Sequence, residues 1–159
     1  MRELMERPIE LVPDKVRALM GARRGGLLLP MRPAPVVDAA VRGRLRDELT
    51  ASTLRLEGID RLDDVGLLDA AFRWGLIPDL RCPWGHVGDL LWVREPWAQV
   101  GRHWRYCNRD ACKGDDLTWL PAVRMPRAAA RLVLKIDDVG IALDEGSRFV
   151  WRIEVEVRR

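Results

Sequence analysis

Cys82-Pro83-Trp84-Gly85-His86-Val87-Gly88-Asp89-Leu90-Leu91-Trp92-Val93-Arg94-Glu95-Pro96-Trp97 joins a turn rich in proline and glycine to a compact alternating strand. Side chains alternate across a strand, so Leu90, Trp92 and Arg94 fall on one face and Leu91, Val93 and Glu95 on the other. Apolar residues on both faces predict a strand in the interior of a sheet, one that delivers an ion-capable pair, Arg94 and Glu95, at its far end. Asp89 sits where a short acceptor can fix the preceding turn.

On the N-terminal side, Arg7-Pro8-Ile9-Glu10-Leu11-Val12 alternates and predicts a short strand, a leading proline being tolerated at a strand start or an edge. A helix is expected to follow, with Pro13 at its first position, Asp14 near the positive end of its dipole, and Val16, Leu19 and Met20 as an apolar stripe. Arg23-Arg24-Gly25-Gly26 reads as a flexible turn that presents two guanidinium groups beside bare amides, either an anion-binding loop or a solvated cap on the helix. Leu27-Leu28-Leu29 is expected to form a short buried strand.

Pro30, Pro33 and Pro35 then make a stiff connection, and helical periodicity resumes after it. Val37, Val41, Leu45 and Leu49 fall four apart, and a second helix is expected over about 63–74, stopped by Gly75 and Pro78. Leu54-Arg55-Leu56 between them suggests a short strand. This stretch, at about 34–80, is expected to be a helical insertion in one domain spanning 1–159, because it holds too little apolar surface to be stable alone.

C-terminal to the opening stretch, Gln99 to Trp119 is irregular and predicts a long loop or hairpin. Residues 131–139 and 149–157 alternate clearly, and the turn Asp144-Glu145-Gly146 pairs them as an antiparallel hairpin. Phe149, Trp151, Ile153, Val155 and Val157 share its buried face. The fold class expected is therefore α+β with a partly closed sheet.

Composition narrows the function classes. The chain has 159 residues, 48% of them hydrophobic, and a net charge of +3. That permits a polyanionic partner without requiring one. No membrane-spanning run is present and the N-terminus carries acids, so no membrane partner and a cytoplasmic location are expected. An odd count of three cysteines suggests free thiols in a reducing compartment. No phosphate loop, dinucleotide fingerprint or nucleophile motif occurs, so no cofactor is expected.

Candidate site residues follow from chemistry. Glu95 is a candidate proton acceptor or ligand contact, but without a matched partner acid or base the reading as a structural partner for an arginine is favoured. Arg94 leaves the strand on the opposite face. Trp84, Trp92, Trp97 and Trp119 offer ring faces to a base; Trp92 is assigned to the core, and Trp97, at a strand end after Pro96, is the first candidate for stacking. Arg124 and Arg127, around Met125-Pro126, form the densest basic cluster and join Arg23 and Arg24 as candidate phosphate contacts, with a solvated turn as the plain alternative. Cys82, His86, Cys107 and Cys112 are a weak zinc set, since their spacing only approaches the usual patterns.

A set of short motifs carries a resemblance: Arg7-Pro8-Ile9; Val16-Arg17-Ala18-Leu19; Cys82-Pro83-Trp84-Gly85 with Gly88-Asp89; Leu91-Trp92-Val93-Arg94-Glu95 with Trp97-Ala98; Met125-Pro126-Arg127 with Ala130-Arg131; and Val150-Trp151 with Ile153-Glu154. In that order they resemble the phage-associated branch of the ASCH-domain proteins, within the PUA-like superfamily. The resemblance implies a small, partly open antiparallel or mixed β-barrel with flanking helices. It also implies a cleft that handles RNA, modified nucleosides or nucleotides, in a phage- or prophage-encoded protein of the bacterial cytoplasm. Hydrolytic relatives use a lysine, a threonine and a glutamate. The first two fall at Arg24 and Leu27, and the connection that carries the glutamate is shortened here to residues 143–147. Arginine is no base near neutral pH and leucine makes no hydrogen bond, so a binding module is expected before an enzyme. The alternatives are an RNA- or nucleoside-directed hydrolase using Glu95, and a protein-interaction module working through the helical insertion.

Overall fold

The computed structural model describes residues 2–52, 57–107 and 117–159. Its elements are β1 (Glu6–Glu10), α1 (Pro13–Met20), β2 (Arg24–Pro30), α2 (Ala39–Ser52), α3 (Asp64–Arg73), β3 (Leu90–Arg94), β4 (Trp97–Val100), β5 (His103–Tyr106), β6 (Val133–Leu143) and β7 (Phe149–Arg158), with short 3-10 helices at Ile59–Arg61, Ala122–Arg124 and Arg127–Ala129. The class is α+β: a five-stranded mixed sheet in the order β1-β3-β6-β7-β2 and a two-stranded sheet, β4-β5. The strand expected at Leu54-Arg55-Leu56 lies outside the described residues.

β3 is an interior strand, as its alternation predicts. It runs parallel to β1, with Ile9 opposite Val93, and antiparallel to β6, with Leu91 opposite Leu134. Leu91 and Val93 are buried, while Leu90, Trp92 and Arg94 keep partial exposure. The turn before β3 closes on Asp89, which is fully buried. One of its carboxylate oxygens accepts the Met5 N–H, and the other accepts the His86 N–H and the guanidinium groups of Arg2 and Arg7. Gly85 sits at φ +129°, and a Cβ there would lie 2.7 Å from Asp89 Oδ2, so only glycine lets the turn fold over its own acceptor.

Arg23-Arg24-Gly25-Gly26 is not a turn. Arg24, Gly25 and Gly26 lie inside β2, and neither glycine has positive φ. Gly25 is needed for space instead, since a Cβ there would meet Leu19 Cδ2 of α1 at 2.4 Å. Leu27 is buried but Leu28 is exposed, so β2 is half-buried and not the wholly buried strand that three successive leucines suggest.

The chain divides into two compact units. One comprises Met1–Gly25, Trp84–Asp137 and Glu154–Arg159; the other comprises Gly26–Pro83 and Asp138–Ile153, so the helical segment at 34–80 falls within the second. In that second unit Leu45 and Leu49 of α2 pack on Leu67 and Ala71 of α3, an apolar stripe burying itself against its neighbour. Asp63 caps α3 by accepting the Gly66 N–H at 2.9 Å. The same helix binds β6 through polar groups: Arg73 forks onto Asp138 at 2.8 and 2.9 Å, and Asp69 accepts the Ile141 N–H at 2.8 Å. Both contacts hold the two carboxyl groups in fixed geometry, and the Arg73 hydrogen bond draws the Asp138 carboxyl below the usual carboxylate range.

Among the described residues, no helix is long and apolar enough to cross a membrane.

Candidate functional site

The site lies in the first unit, where β3 ends. Arg94 and Glu95 leave on opposite faces, and one segment, residues 121–131, receives both. On one side Arg94 Nη1 donates to the Val123 carbonyl at 3.0 Å, and its guanidinium lies 5.1 Å from the centre of the Trp92 ring. On the other side Arg131 donates Nε to Glu95 Oε2 at 2.9 Å and Nη2 to Oε1 at 2.7 Å. Glu95 is only 2% exposed. A carboxylate taken that far from water requires a partner of opposite charge, and the two-point fork supplies one.

The segment is shaped by the β4–β5 hairpin. Trp97 pairs with Tyr106 in register, and Trp97 and Leu120 exchange backbone hydrogen bonds at 3.1 and 2.8 Å. Trp97, Met125 and Ala129 form a small core, with the Trp104 ring 5.4 Å from that of Trp97. Tyr106 donates its hydroxyl to the Ala129 carbonyl at 2.6 Å and lays its ring under the Arg131 guanidinium, 4.3 Å from the ring centre. Burial, with the nearby Glu95 charge, pushes the Tyr106 hydroxyl up against the opposing pull of Arg131, which keeps it a proton donor.

Beside this pair is a cavity of about 180 Å³, lined by Pro13, Arg17 and Met20 of α1 with Glu95, Cys107 and Arg131. Of these, Arg17 is bonded to Asp14 at 3.2 Å and largely exposed. Two guanidinium groups thus line it, each paired with a carboxylate, Arg131 with Glu95 and Arg17 with Asp14.

The candidates from the sequence are distributed unevenly. Glu95 is at the centre, and Arg94 lies immediately across the strand. Trp97 is a correction: at 7% exposure it is a core residue and leaves no ring face for a base. Its indole Nε1 is buried with no hydrogen-bond partner among the described residues. Arg127, on the 3-10 helix Arg127–Ala129, pairs with Glu6 at 3.2 Å, and Arg124 is exposed on the preceding one, Ala122–Arg124, whose Val123 carbonyl Arg94 bonds. Arg23 and Arg24 are exposed at the start of β2 and do not line the cavity. Cys82 is buried and outside any disulfide, whereas Cys107 is disulfide-bonded, against the expectation of free thiols and against a thiolate role for it in a zinc set. Cys112 lies outside the described residues, and His86 gives its N–H to Asp89. Among the described residues no group of three or more metal-ligating side chains gathers.

Arg131 and Tyr106 belong to the site although neither is a candidate site residue from the sequence; Arg131 enters there only as part of the quoted Ala130-Arg131 motif. Arg131 looks in sequence like the first residue of an ordinary strand, and the one available signal is that an acid at a buried strand position needs a cation. Comparison with protein-family models, with curated proteins and with solved structures finds no match to this chain.

Proposed function

We propose that the chain is a binding module of ASCH type for RNA, or for a modified nucleoside or nucleotide, built on a partly open PUA-like barrel. It would be phage- or prophage-encoded and act in the bacterial cytoplasm. The motifs quoted above support the family reading. The observation that carries the function is that Arg94 bonds the Val123 carbonyl of the 3-10 helix that carries Arg124, with Arg127 on the 3-10 helix that follows. Arg94 bonds a neutral carbonyl there, which fixes its direction without cancelling its charge. Arg127 meets Glu6 with both side chains near half exposure, a pairing weak enough to yield to a phosphate. The pI near 9.0 agrees with a polyanionic partner.

A hydrolytic reading needs Glu95 to take up a proton. Both its oxygens are held by Arg131, and that favours a supporting role for it over proton transfer. The interaction reading has less support, because α2 and α3 spend their apolar stripes on each other.

The test is RNA binding by fluorescence anisotropy over a range of salt. Replacing Arg124 and Arg127 together with Ala is expected to weaken binding and reduce the salt slope by roughly 0.7 for each phosphate that is no longer neutralised. An unchanged slope in the double variant refutes the assignment of these arginines.

A further inference from the structure

The cavity beside Glu95 is smaller than the roughly 300–1,000 Å³ that encloses a drug-sized ligand, so about 180 Å³ admits one group of a ligand and not a whole nucleotide. Its chemistry selects the group. Arg131 spends its Nε and one proton of Nη2 on Glu95, on the side edge of the guanidinium. The end edge, formed by Nη1 and the second Nη2 proton, is not used by Glu95. The Tyr106 ring beneath fixes the plane of the fork, and the Tyr106 hydroxyl is tied to the Ala129 carbonyl. A planar fork with one edge immobilised by a carboxylate and one face by an aromatic ring is preorganised for a second two-point contact, and its partner must be an anion with paired oxygens. Arg17, exposed and paired with Asp14 at 3.2 Å, adds a second guanidinium to the lining, and Pro13 and Met20 add apolar surface.

We propose that this cavity is a subsite for a phosphate monoester, received end-on by Arg131 with Arg17 also in the lining, while Glu95 and Tyr106 position Arg131. The inference rests on the nucleic-acid reading above and deepens it: the ligand would be recognised by a terminal phosphate, either the 5′ end of an RNA or a free nucleoside monophosphate. An internal phosphodiester offers fewer unesterified oxygens and carries substituents on both sides, so a cavity of this size excludes it.

The experiment uses the full chain at fixed ionic strength and three probes: a short RNA with a 5′ phosphate, the same RNA with a 5′ hydroxyl, and a nucleoside 5′-monophosphate as competitor. The phosphorylated RNA is expected to bind about tenfold more tightly than the hydroxyl form, the worth of one charge-assisted hydrogen bond. Arg131→Lys keeps a positive charge but cannot hold Glu95 and present a second edge, so it should bring the two RNAs to equal affinity. Glu95→Gln puts a donor against the fork and should reduce the same preference. Thermal melting of both variants reports whether they fold, and the comparison of the two RNAs on the unsubstituted chain needs no variant. Equal binding of the two RNAs overturns the inference and leaves the RNA reading standing. Failure of both RNAs to bind overturns the RNA reading, and in that case binding of the monophosphate that disappears in Arg131→Lys sustains the subsite with a free nucleotide as its occupant. Absence of binding by all three probes overturns both.

Discussion

Asp89→Asn tests what holds the turn and β3 together. The substitution keeps the shape and one acceptor oxygen, and it replaces the other oxygen by an NH2 group. If the retained oxygen continues to accept the Met5 N–H, the new amide points its protons at the His86 N–H and at two guanidinium groups. Arg2 and Arg7 are 45% and 36% exposed, so solvent screens their share and they add little. The main losses are the charge-assisted bond from His86 and a buried donor that faces donors. Together they cost about 3 kcal/mol, taking each at the lower half of its usual range. For a chain of this size each kcal/mol lowers Tm by roughly 2–4 °C, so the variant should melt about 6–12 °C below the parent near neutral pH. The pH dependence distinguishes a charge effect from a packing effect. Burial pushes the Asp89 carboxyl up, but the Met5 and His86 amides and Arg2 outweigh it and hold the carboxyl below its ordinary 3.8. A group whose pKa is depressed by folding contributes stability above its unfolded value and loses it as pH falls through the folded value. The Tm gap between parent and variant should therefore be full near neutrality and shrink below about pH 4. Circular dichroism melts across that range make the measurement. A gap that stays constant into acid, or one under about 2 °C at neutrality, refutes the account.

Three further outcomes follow from the packing and the ion pairs. Gly25→Ala drives a methyl group into Leu19, which is 2% exposed, and should cost about 1–3 kcal/mol in denaturant titration; recovery of part of that loss in Gly25→Ala/Leu19→Ala would confirm the cause. Asp63→Ala removes the cap of α3 and should cost about 1 kcal/mol, with Asp63→Ser close to the parent; equal loss in both variants would refute capping. A double-mutant cycle of Glu95→Gln and Arg131→Met should give a coupling of about 1–3 kcal/mol, and additivity within about 0.5 kcal/mol would show that the fork does not stabilise the chain.

The elements legible in the sequence are those whose cause is local. Pro13 and Asp14 start α1, Asp63 caps α3, and the alternation of Leu91 and Val93 marks β3, because each signal acts within a few residues. Gly25 and Trp97 differ from their sequence reading because their causes are remote. The glycine is there for Leu19, which leans over β2 from the preceding helix, and the tryptophan is buried by Met125 and Ala129, which reach it through the long connection after β5. No periodicity announces either contact. The parallel pairing of β1 with β3 is similarly invisible, since alternation sets which face is buried and not which strand lies alongside.

The same distinction explains why the site is half legible. Adjacent residues at a strand end point to opposite faces, so Arg94 and Glu95 need two different partners. Residues 121–131 supply both, Val123 for the first and Arg131 for the second, and the β4–β5 hairpin holds that segment through Trp97 and Tyr106. Arg94 and Glu95 are therefore coupled through a segment that touches each on its own side, although their side chains diverge. It follows that a change at Trp97, which packs on Met125 and Ala129, should disturb the Arg131 fork and the Arg94 carbonyl bond together. A tryptophan whose position suggests a stacking surface instead determines whether the two arginines are in position.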